Sequence, residues 1–467
     1  MPNGARLRLK RQRGRRPKRH RLAITRAAAA SAALSGQRSM NVGVIGGGYA
    51  GMAAAVTLAQ HRLPVTVFEA APRLGGRARG VAYHDAALDN GLHILIGAYR
   101  ETLRLIELVN RDAERALLRL PLDWHVHGHF RLRAPFLPAP LHLALGLLTA
   151  RGAAPGERMA AAAFMRAMRK MRFRLPQDMP VSELLQRYRQ GAAVTRHLWH
   201  PLCLAALNTP PATASAQVFL NVLRDSLDAA RADSEIMLSR VDLSALFPEP
   251  AADYVRGRGG EILPGATVEN VRHHAGAFEL SARDVRYRFT HLICAVPPHR
   301  LPPVVAGLPE LAPAAEQVSG FQYQPIYTIY LQYPGSVALP APMLGLGGGL
   351  AQWLFDRGAI CGQAGLIAAV ISAGGPHQRM PHDELAQHIH AELGRHFGPL
   401  PAPLWQRVIA EKRATFACTV DLQRPPQRTP LKNFYLAGDY TESDYPATLE
   451  AAVRSGTRCA RQVIESL

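Results

Sequence analysis

The clearest pattern of apolar and polar positions lies between residues 42 and 70, in the stretch VGVIGGGYAGMAAAVTLAQHRLPVTVFEA. A short apolar run ends in glycines, small apolar residues follow at Ala53–Gln60, and a second apolar run, PVTVFE, ends on an acid. Short continuous apolar runs are typical of strands buried in a parallel sheet, and the longer segment between them is typical of a helix packed on that sheet. The pattern therefore predicts a strand–helix–strand unit.

A similar pattern returns near the end of the chain. Asn433–Ala437 reads as a buried strand, and a helix is expected to begin near Pro446, because proline suits the first helical turn. The apolar run at 290–301 predicts one more strand. Residues 111–249 read as mostly helical, and residues 301–424 read as strands with a helix.

Three glycines in the first unit have the spacing G-x-G-x-x-G. Gly46 permits a tight turn, Gly48 lets a phosphate approach the backbone, and Gly51 lets the helix pack closely on the strand. The N-terminus of that helix offers free N–H groups to a pyrophosphate. Glu69, at the end of the second strand, is placed to accept hydrogen bonds from an adenosine ribose. The unit therefore predicts a dinucleotide site, for either NAD or FAD.

A second glycine turn follows at Gly75 and Gly76, and Arg77 comes directly after it. A guanidinium in this place can reach the same pyrophosphate. The sequence EAAPRLGGRARG around these residues resembles the flavoprotein family of amine oxidases and carotenoid desaturases, which hold FAD. The resemblance implies FAD as the cofactor.

The same resemblance assigns cofactor roles to residues far along the chain. It implies that Gly438 and Asp439 contact the ribityl and phosphate groups of the flavin, and that Thr448 and Leu449 lie where a helix N-terminus faces the pyrimidine edge. A helix N-terminus stabilises the negative charge of reduced flavin. Val268 matches the position that packs against the adenine through its main chain.

The expected fold class is α/β: a Rossmann-like FAD-binding domain, discontinuous in sequence, with a mixed α+β substrate domain, as in amine oxidases. The FAD-binding domain is expected to consist of residues 40–110, 250–300 and 425–467. Residues 111–249 and 301–424 are expected to form the substrate domain around a cavity.

Charge changes this picture only at the N-terminus. The chain has 467 residues and a net charge of +20, and removing the twelve Lys and Arg of residues 1–39 leaves +8. The segment allows a basic arm for nucleic acid or lipid, or a twin-arginine signal at Arg15 and Arg16. We favour a disordered extension or a gene start assigned too early, because Met40 directly precedes the first strand. No nucleic-acid partner is therefore expected.

The cysteines and the longest apolar runs bear on where in the cell the protein is located. Five cysteines lie far apart without a C-x-x-C pair, which predicts a reducing, cytoplasmic environment. No apolar run reaches the roughly 20 residues of a membrane span. The nearest, residues 134–150, is flanked by arginines and reads either as a loop leading into a buried helix or as a peripheral contact with the inner membrane face.

Further resemblances concern the kind of reaction. Amine oxidases of this fold keep a lysine near the flavin and a tyrosine where this chain has Thr448, and this chain has no lysine between Lys170 and Lys412. Both departures argue against amine oxidation. Asp89–Val109 resembles enzymes of long isoprenoid hydrocarbons, and Leu198–Leu227 with Ser239–Ala251 resembles the hydroxysqualene dehydroxylases.

The last resemblance implies reductive removal of the allylic hydroxyl of hydroxysqualene to give squalene, in hopanoid and isoprenoid biosynthesis, with a hydride from reduced FAD. No motif identifies the electron donor that reduces FAD. Two alternatives stay open at this point: phytoene-type carotene desaturation, and a non-catalytic prenyl-lipid carrier.

Three residues are candidates for the chemistry at the substrate. His93 follows a glycine turn expected to face the flavin, and it is the candidate acid or hydroxyl-orienting group. Asp89 is a candidate for orienting His93, although an acid before Asn-Gly is also common in turns. Tyr445 is expected to line the flavin face or to pack in the core. The alternating histidines of DWHVHGHF have no carboxylate or cysteine partner at ligand spacing, so no metal site is predicted.

Overall fold

The computed structural model describes residues 40–466, so the predicted basic extension at 1–39 lies outside the described residues. The strands, in chain order, are β1 Val42–Ile45, β2 Val65–Glu69, β3 Gly80–Tyr83, β4 Ala86–Asp89, β5 Ile94–Ile96, β6 Leu117–Leu120, β7 Asp123–Val126, β8 Phe130–Arg133, β9 Ile236–Ser239, β10 Glu261–Pro264, β11 Val268–His274, β12 Ala277–Ala282, β13 Val285–Phe289, β14 His291–Cys294, β15 Tyr323–Gln332, β16 Met343–Gly345, β17 Trp353–Asp356, β18 Leu366–Ser372, β19 Trp405–Phe416 and β20 Phe434–Leu436.

The helices connect and cover these strands. In chain order they are α1 Tyr49–Gln60, α2 Arg100–Val109, α3 Ala113–Ala116, α4 Leu141–Leu148, α5 Pro155–Lys170, α6 Val181–Arg187, α7 Ala192–Val194, α8 His200–Leu207, α9 Ala216–Leu223, α10 Leu243–Leu246, α11 Pro248–Arg256, α12 Leu301–Val305, α13 Ala312–Ser319, α14 Arg357–Cys361, α15 His382–Phe397 and α16 Leu449–Ile464. Two π-helical turns, Thr195–Trp199 and Arg224–Asp228, extend helices of the middle segment.

A five-stranded parallel sheet, in the order β10-β2-β1-β14-β20, is the centre of the fold. All four residues of β1 are buried, as expected for a strand covered on both faces. The carboxyl ends of parallel strands lie at one edge, so β1, β2 and β20 bring Gly46, Glu69 and Gly438 to the same edge although they are far apart in sequence. The division of the chain into an FAD-binding domain and a substrate domain stays a prediction.

Helices α1 and α16 pack closely against each other beside this sheet. Small residues permit this approach: a Cβ added to Gly456 would lie 2.0 Å from the carbonyl oxygen of Ala50. A Cβ added to Gly51 would lie 1.9 Å from the carbonyl oxygen of Gly46. The helix that begins at the glycine motif is therefore held between the sheet and the last helix of the chain.

A second sheet has seven strands in the order β19-β15-β18-β17-β16-β7-β8 and shares no strand with the parallel sheet. Its neighbouring strands are antiparallel, except for β16 and β7, which are parallel. Helix α15 covers one face, where its residues Leu385 and Ile389 share a core with Ile329 and Ile367. The side chains that point to the other face of this sheet include Tyr330. They pack in the large core that also contains the helices of the middle segment.

Two predicted helix starts differ from the structure. The first helix begins at Tyr49 rather than Ala53, because Gly48 takes the N-cap position and the small residues after it are already helical. The last helix begins at Leu449, where the Thr448 side chain accepts a hydrogen bond from the Ala451 N–H, so Pro446 precedes the helix instead of lying in its first turn. The middle segment also contributes strands β6 to β9 to two sheets.

The packing of α1 on α16 gives a test. Gly456→Ala is expected to lower the stability of the protein by about 1–3 kcal/mol, because the added methyl group meets a backbone carbonyl that cannot turn aside. Gly394→Ala, inside α15 with open space around its Cβ position, is the matched control and should be neutral or slightly stabilising. Thermal unfolding followed by circular dichroism measures both, and equal stability of the two variants would contradict the packing argument.

Candidate active site

The first glycine turn has the backbone geometry that its sequence predicts. Gly46 has φ of +111°, in a region that strongly favours glycine. Gly48 is the N-cap of α1, with neither a capping side chain nor an acid in the first helical turn. The first N–H groups of α1 are therefore free of side-chain acceptors and suit an anion.

Glu69 holds this turn in place. Its carboxylate accepts hydrogen bonds from the N–H of Gly47 at 2.7 Å and from the N–H of Ala71 at 2.8 Å. The backbone oxygen of Glu69 accepts a hydrogen bond from the N–H of Ala266, two residues before the buried Val268. The segment leading to Val268 is therefore fixed beside Glu69, and the roles predicted for both residues toward adenosine stay predictions.

The second glycine turn lies against the first. The N–H of Gly75 donates to the carbonyl of Gly47 at 3.0 Å, and both Gly75 and Gly76 have positive φ. A Cβ added to Gly48 would have only the backbone of Gly75 and Gly76 near it, and its closest contact would be 3.8 Å, to the Cα of Gly76. The two turns thus form a cradle of bare backbone at the N-terminus of α1.

Arg77 joins this cradle to the far end of the chain. Its guanidinium donates to the carboxylate of Asp439 at 2.6 Å and to the backbone oxygen of Ala414 at 2.8 Å. The carboxylate of Asp439 is almost fully buried. Gly438, with φ of +153°, donates its N–H to the Ser455 hydroxyl of α16.

The N-terminus of α16 contains an acid that sequence reasoning missed. Glu450 is completely buried and accepts hydrogen bonds from the N–H groups of Glu101 and Thr102, from the Thr102 hydroxyl and from Arg454. These contacts join α16 to α2. No local pattern marks Glu450, because all partners but Arg454 are about 350 residues away in the chain.

These observations fit FAD as the bound cofactor. Backbone without side chains forms the cradle for a pyrophosphate, Arg77 supplies a positive charge beside it, and the N-terminus of α16 supplies a dipole at Thr448. Glu69, Gly438 and Asp439 lie at the same sheet edge. The structure therefore brings together the cofactor residues predicted from both ends of the chain.

An apolar cavity opens beside the N-terminus of α16. Both Tyr445 and Thr448 line it. Most of its wall consists of large apolar and aromatic side chains: Ile94, Ile96, Leu122, Trp124, Leu143, Leu147, Leu198, Trp199, Leu202, Val222, Ile236, Met343 and Trp353. Such a cavity suits a long hydrocarbon with few polar atoms.

His93 and Asp89 are not joined to each other. The Nδ1 atom of His93 lies 2.8 Å from the carbonyl oxygen of Gly91, and burial lowers the pKa of this imidazole, because it disfavours the charged imidazolium form. The carboxylate of Asp89 accepts a hydrogen bond from the Leu243 N–H at 2.8 Å and lies 4.0 Å from the guanidinium of Arg357. Burial raises the pKa of Asp89 to about 6.

The Asp89 carboxylate is engaged by Leu243 and Arg357, and the role predicted for Asp89 in orienting His93 stays a prediction. Neither residue is part of the cavity wall, and a role of His93 in catalysis stays a prediction. Tyr445, by contrast, lines the cavity and donates its hydroxyl hydrogen to Asp225 at 2.7 Å. Sequence reasoning missed Asp225, which carries no recognisable motif.

Comparison with known proteins assigns the chain to a class. Residues 49–464 match the family described as "Flavin containing amine oxidoreductase". A solved structure of cyclohexylamine oxidase from Brevibacterium oxydans shares the fold, with a TM-score of 0.68 and 17% identity over 92% of this chain and 99% of that one. The chain belongs to the flavin-containing amine oxidoreductase family, and it is an FAD-dependent oxidoreductase.

Its relatives narrow the class further. The chain is 30% identical to a hydroxysqualene dehydroxylase of Rhodopseudomonas palustris, over 91% of this chain and 99% of the relative. It is 24% identical to a zeta-carotene desaturase of Arabidopsis thaliana, over 91% of this chain and 86% of the relative. Within the larger family, the chain therefore belongs to the hydroxysqualene dehydroxylases.

Glu69 and Asp439 give a test of the cofactor site. Glu69→Ala and Asp439→Ala are each expected to weaken FAD binding by about 1–3 kcal/mol, because each change removes a hydrogen-bonded group from the cradle. Titration of the deflavinated proteins with FAD, followed by flavin fluorescence, measures the loss. Asp253→Ala, which removes an exposed carboxylate of α11, is the control. Unchanged affinity in the first two variants would refute the assignment.

Proposed function

We propose that the protein converts hydroxysqualene to squalene by reductive removal of the allylic hydroxyl, as a step of hopanoid and isoprenoid biosynthesis. The observation that carries this proposal is the cavity: a mostly apolar space reaches the N-terminus of α16, where Thr448 is a predicted flavin contact. The similarity to the Rhodopseudomonas palustris hydroxysqualene dehydroxylase supports the same substrate.

In the overall reaction, a C–O bond of the substrate is replaced by a C–H bond. The allylic C–O bond breaks, the oxygen leaves with an added proton as water, and the carbon gains a hydride. Bound FAD, in its reduced form, supplies the hydride. The protein has to hold the carbon chain, exclude water and stabilise the positive charge that develops on the allylic carbons.

The cavity wall suits these tasks. Trp124 and Trp353 meet edge to face at a centroid distance of 4.7 Å, and Trp199 lies in the same wall. Their π faces stabilise a delocalised cation without offering a nucleophile to trap it. The indole N–H of Trp124 is occupied by the carbonyl of His197, and that of Trp199 by the side chain of Gln190.

A turnover experiment tests the proposed reaction. The flavin-loaded protein, incubated without oxygen with hydroxysqualene and dithionite, is expected to form squalene, identified by gas chromatography and mass spectrometry. Free FAD with dithionite is the control for chemical reduction. Absence of squalene, together with coloured products from phytoene under oxidising conditions, would replace the proposal with carotene desaturation.

We propose further that residues 134–150 contact a membrane surface. Helix α4 exposes Leu141, Leu145 and Leu148 on its outer face, while Leu143 and Leu147 of its inner face line the cavity. Phe136, just before the helix, is 85% exposed. A helix with an apolar outer face that also walls the cavity gives a hydrophobic substrate a short path from lipid into the site.

The arginines around α4 indicate that the proposed membrane surface contains anionic lipids. Arg133 and Arg151 are exposed on either side of the helix, and the guanidinium of Arg231 lies 4.2 Å from the ring centroid of Phe136. Guanidinium groups at this level pair with phospholipid head groups. Between residues 40 and 466, no helix combines the length and the apolar character needed to cross a membrane.

A vesicle-binding experiment tests this contact. The double variant Leu141→Ser, Leu145→Ser is expected to bind vesicles of phosphatidylglycerol and phosphatidylcholine at least about tenfold more weakly, because two apolar side chains no longer enter the interface. Leu404→Ser, a change of another exposed leucine far along the chain, is the matched control. Cosedimentation measures binding, and equal binding of all three proteins would contradict the proposal.

A further inference from the structure

Polar atoms are scarce in the cavity wall, and most of them are already used by the backbone. The Ser226 hydroxyl donates to the carbonyl of Val222, the Ser234 hydroxyl donates to the carbonyl of Arg231, and the Thr448 hydroxyl caps α16. Among the described residues that line the cavity, Asp225 supplies the only carboxylate. Asp225 and Tyr445 bond to each other across 220 residues of sequence.

Neighbouring charges hold this pair in one arrangement. Arg224 donates to Asp225 at 2.6 Å and 3.2 Å, so the carboxylate is gripped from one side. The guanidinium of Arg454 lies 4.6 Å from the ring centroid of Tyr445, and Arg454 is itself bound to the buried Glu450. Each member of the pair therefore has a further charged neighbour.

The pKa values of Asp225 and Tyr445 are shifted in opposite directions. Burial alone would raise the pKa of Asp225, but hydrogen bonds from Arg224 and Tyr445 outweigh it and hold the pKa below its ordinary value. Burial and the adjacent Asp225 carboxylate raise the pKa of Tyr445. Near neutral pH the wall thus presents an ionised acceptor beside a protonated donor, which together match a hydroxyl group.

We propose that Asp225 and Tyr445 bind the hydroxyl group of the substrate and make the enzyme select a hydroxylated isoprenoid over the corresponding hydrocarbon. The inference rests on the proposed function. The substrate hydroxyl replaces the direct bond between the two side chains: it donates to the Asp225 carboxylate and accepts from the Tyr445 phenol. Both residues contact the substrate directly in this step, and no proton changes its covalent partner.

The physical basis of the selection is the number of hydrogen bonds. Without substrate, Asp225 and Tyr445 share one hydrogen bond, and a bound hydroxyl group exchanges it for two, one to each side chain. Squalene, the product, has no hydroxyl group and gains neither bond. The same pair therefore favours product release once the C–O bond is broken. The negative charge of Asp225 also offsets the positive charge that develops on the allylic carbons.

Binding of the two lipids tests the pair directly. Trp124, Trp199 and Trp353 line the cavity, so tryptophan fluorescence of the flavin-loaded protein reports on titration with detergent-solubilised hydroxysqualene or squalene. Tyr445→Phe and Asp225→Leu are each expected to weaken hydroxysqualene binding about tenfold and to leave squalene binding unchanged or tighter. Asp225→Asn, which keeps an acceptor oxygen, should lie between the wild type and Asp225→Leu.

Asp228→Asn is the matched control, because Asp228 lies in the same π-helical turn and pairs with Arg169 but does not line the cavity. Flavin content and thermal unfolding monitor folding, and if Asp225→Leu does not fold, Tyr445→Phe decides alone. A wild-type ratio of the two affinities in Tyr445→Phe would overturn the inference. Failure of the wild type to form squalene would overturn the proposed function, while the affinity ratio would still decide the role of the pair.

Discussion

The ion pair between Arg77 and Asp439 is the contact on which the cofactor site depends, since it joins the two ends of the fold. Arg77 follows the second glycine turn, and Asp439 follows the last strand of the parallel sheet, 362 residues later. Parallel strands all end at one edge, so the sheet brings the two residues there without any local signal. The ion pair then ties the turn of Gly75 and Gly76, which lies against Gly48 at the N-terminus of α1, to the end of the last strand.

The substrate cavity follows from the same arrangement. Helix α16 cannot shift along α1, because Gly456 lies against the backbone of Ala50, and Glu450 ties its first turn to α2. Tyr445 and Thr448, just before this helix, therefore occupy fixed places in the cavity wall. The cavity wall and the predicted flavin contacts Thr448 and Leu449 thus share the N-terminus of one helix.

Two chemical environments meet in this cavity. Most of its wall is apolar and aromatic and suits a hydrocarbon chain, whereas Asp225 and Tyr445 form one charged, hydrogen-bonded spot. A carboxylate in such surroundings persists because Arg224 and Tyr445 satisfy it. Helix α4 extends the apolar character to the outer surface, since its opposite faces carry Leu143 and Leu145.

The sequence by itself determined the features whose physics is local. Gly46, Gly48 and Gly51 predict the first turn because their spacing matches backbone requirements within a few residues, and Glu69 ends the next strand. Local signals also predicted the wrong start for the last helix, where capping by Thr448 prevails over the preference of Pro446 for a first turn. Only the tertiary structure brought Leu243 to the Asp89 carboxylate and paired Asp225 with Tyr445. Those contacts depend on how distant segments pack, and no short stretch of sequence carries that information.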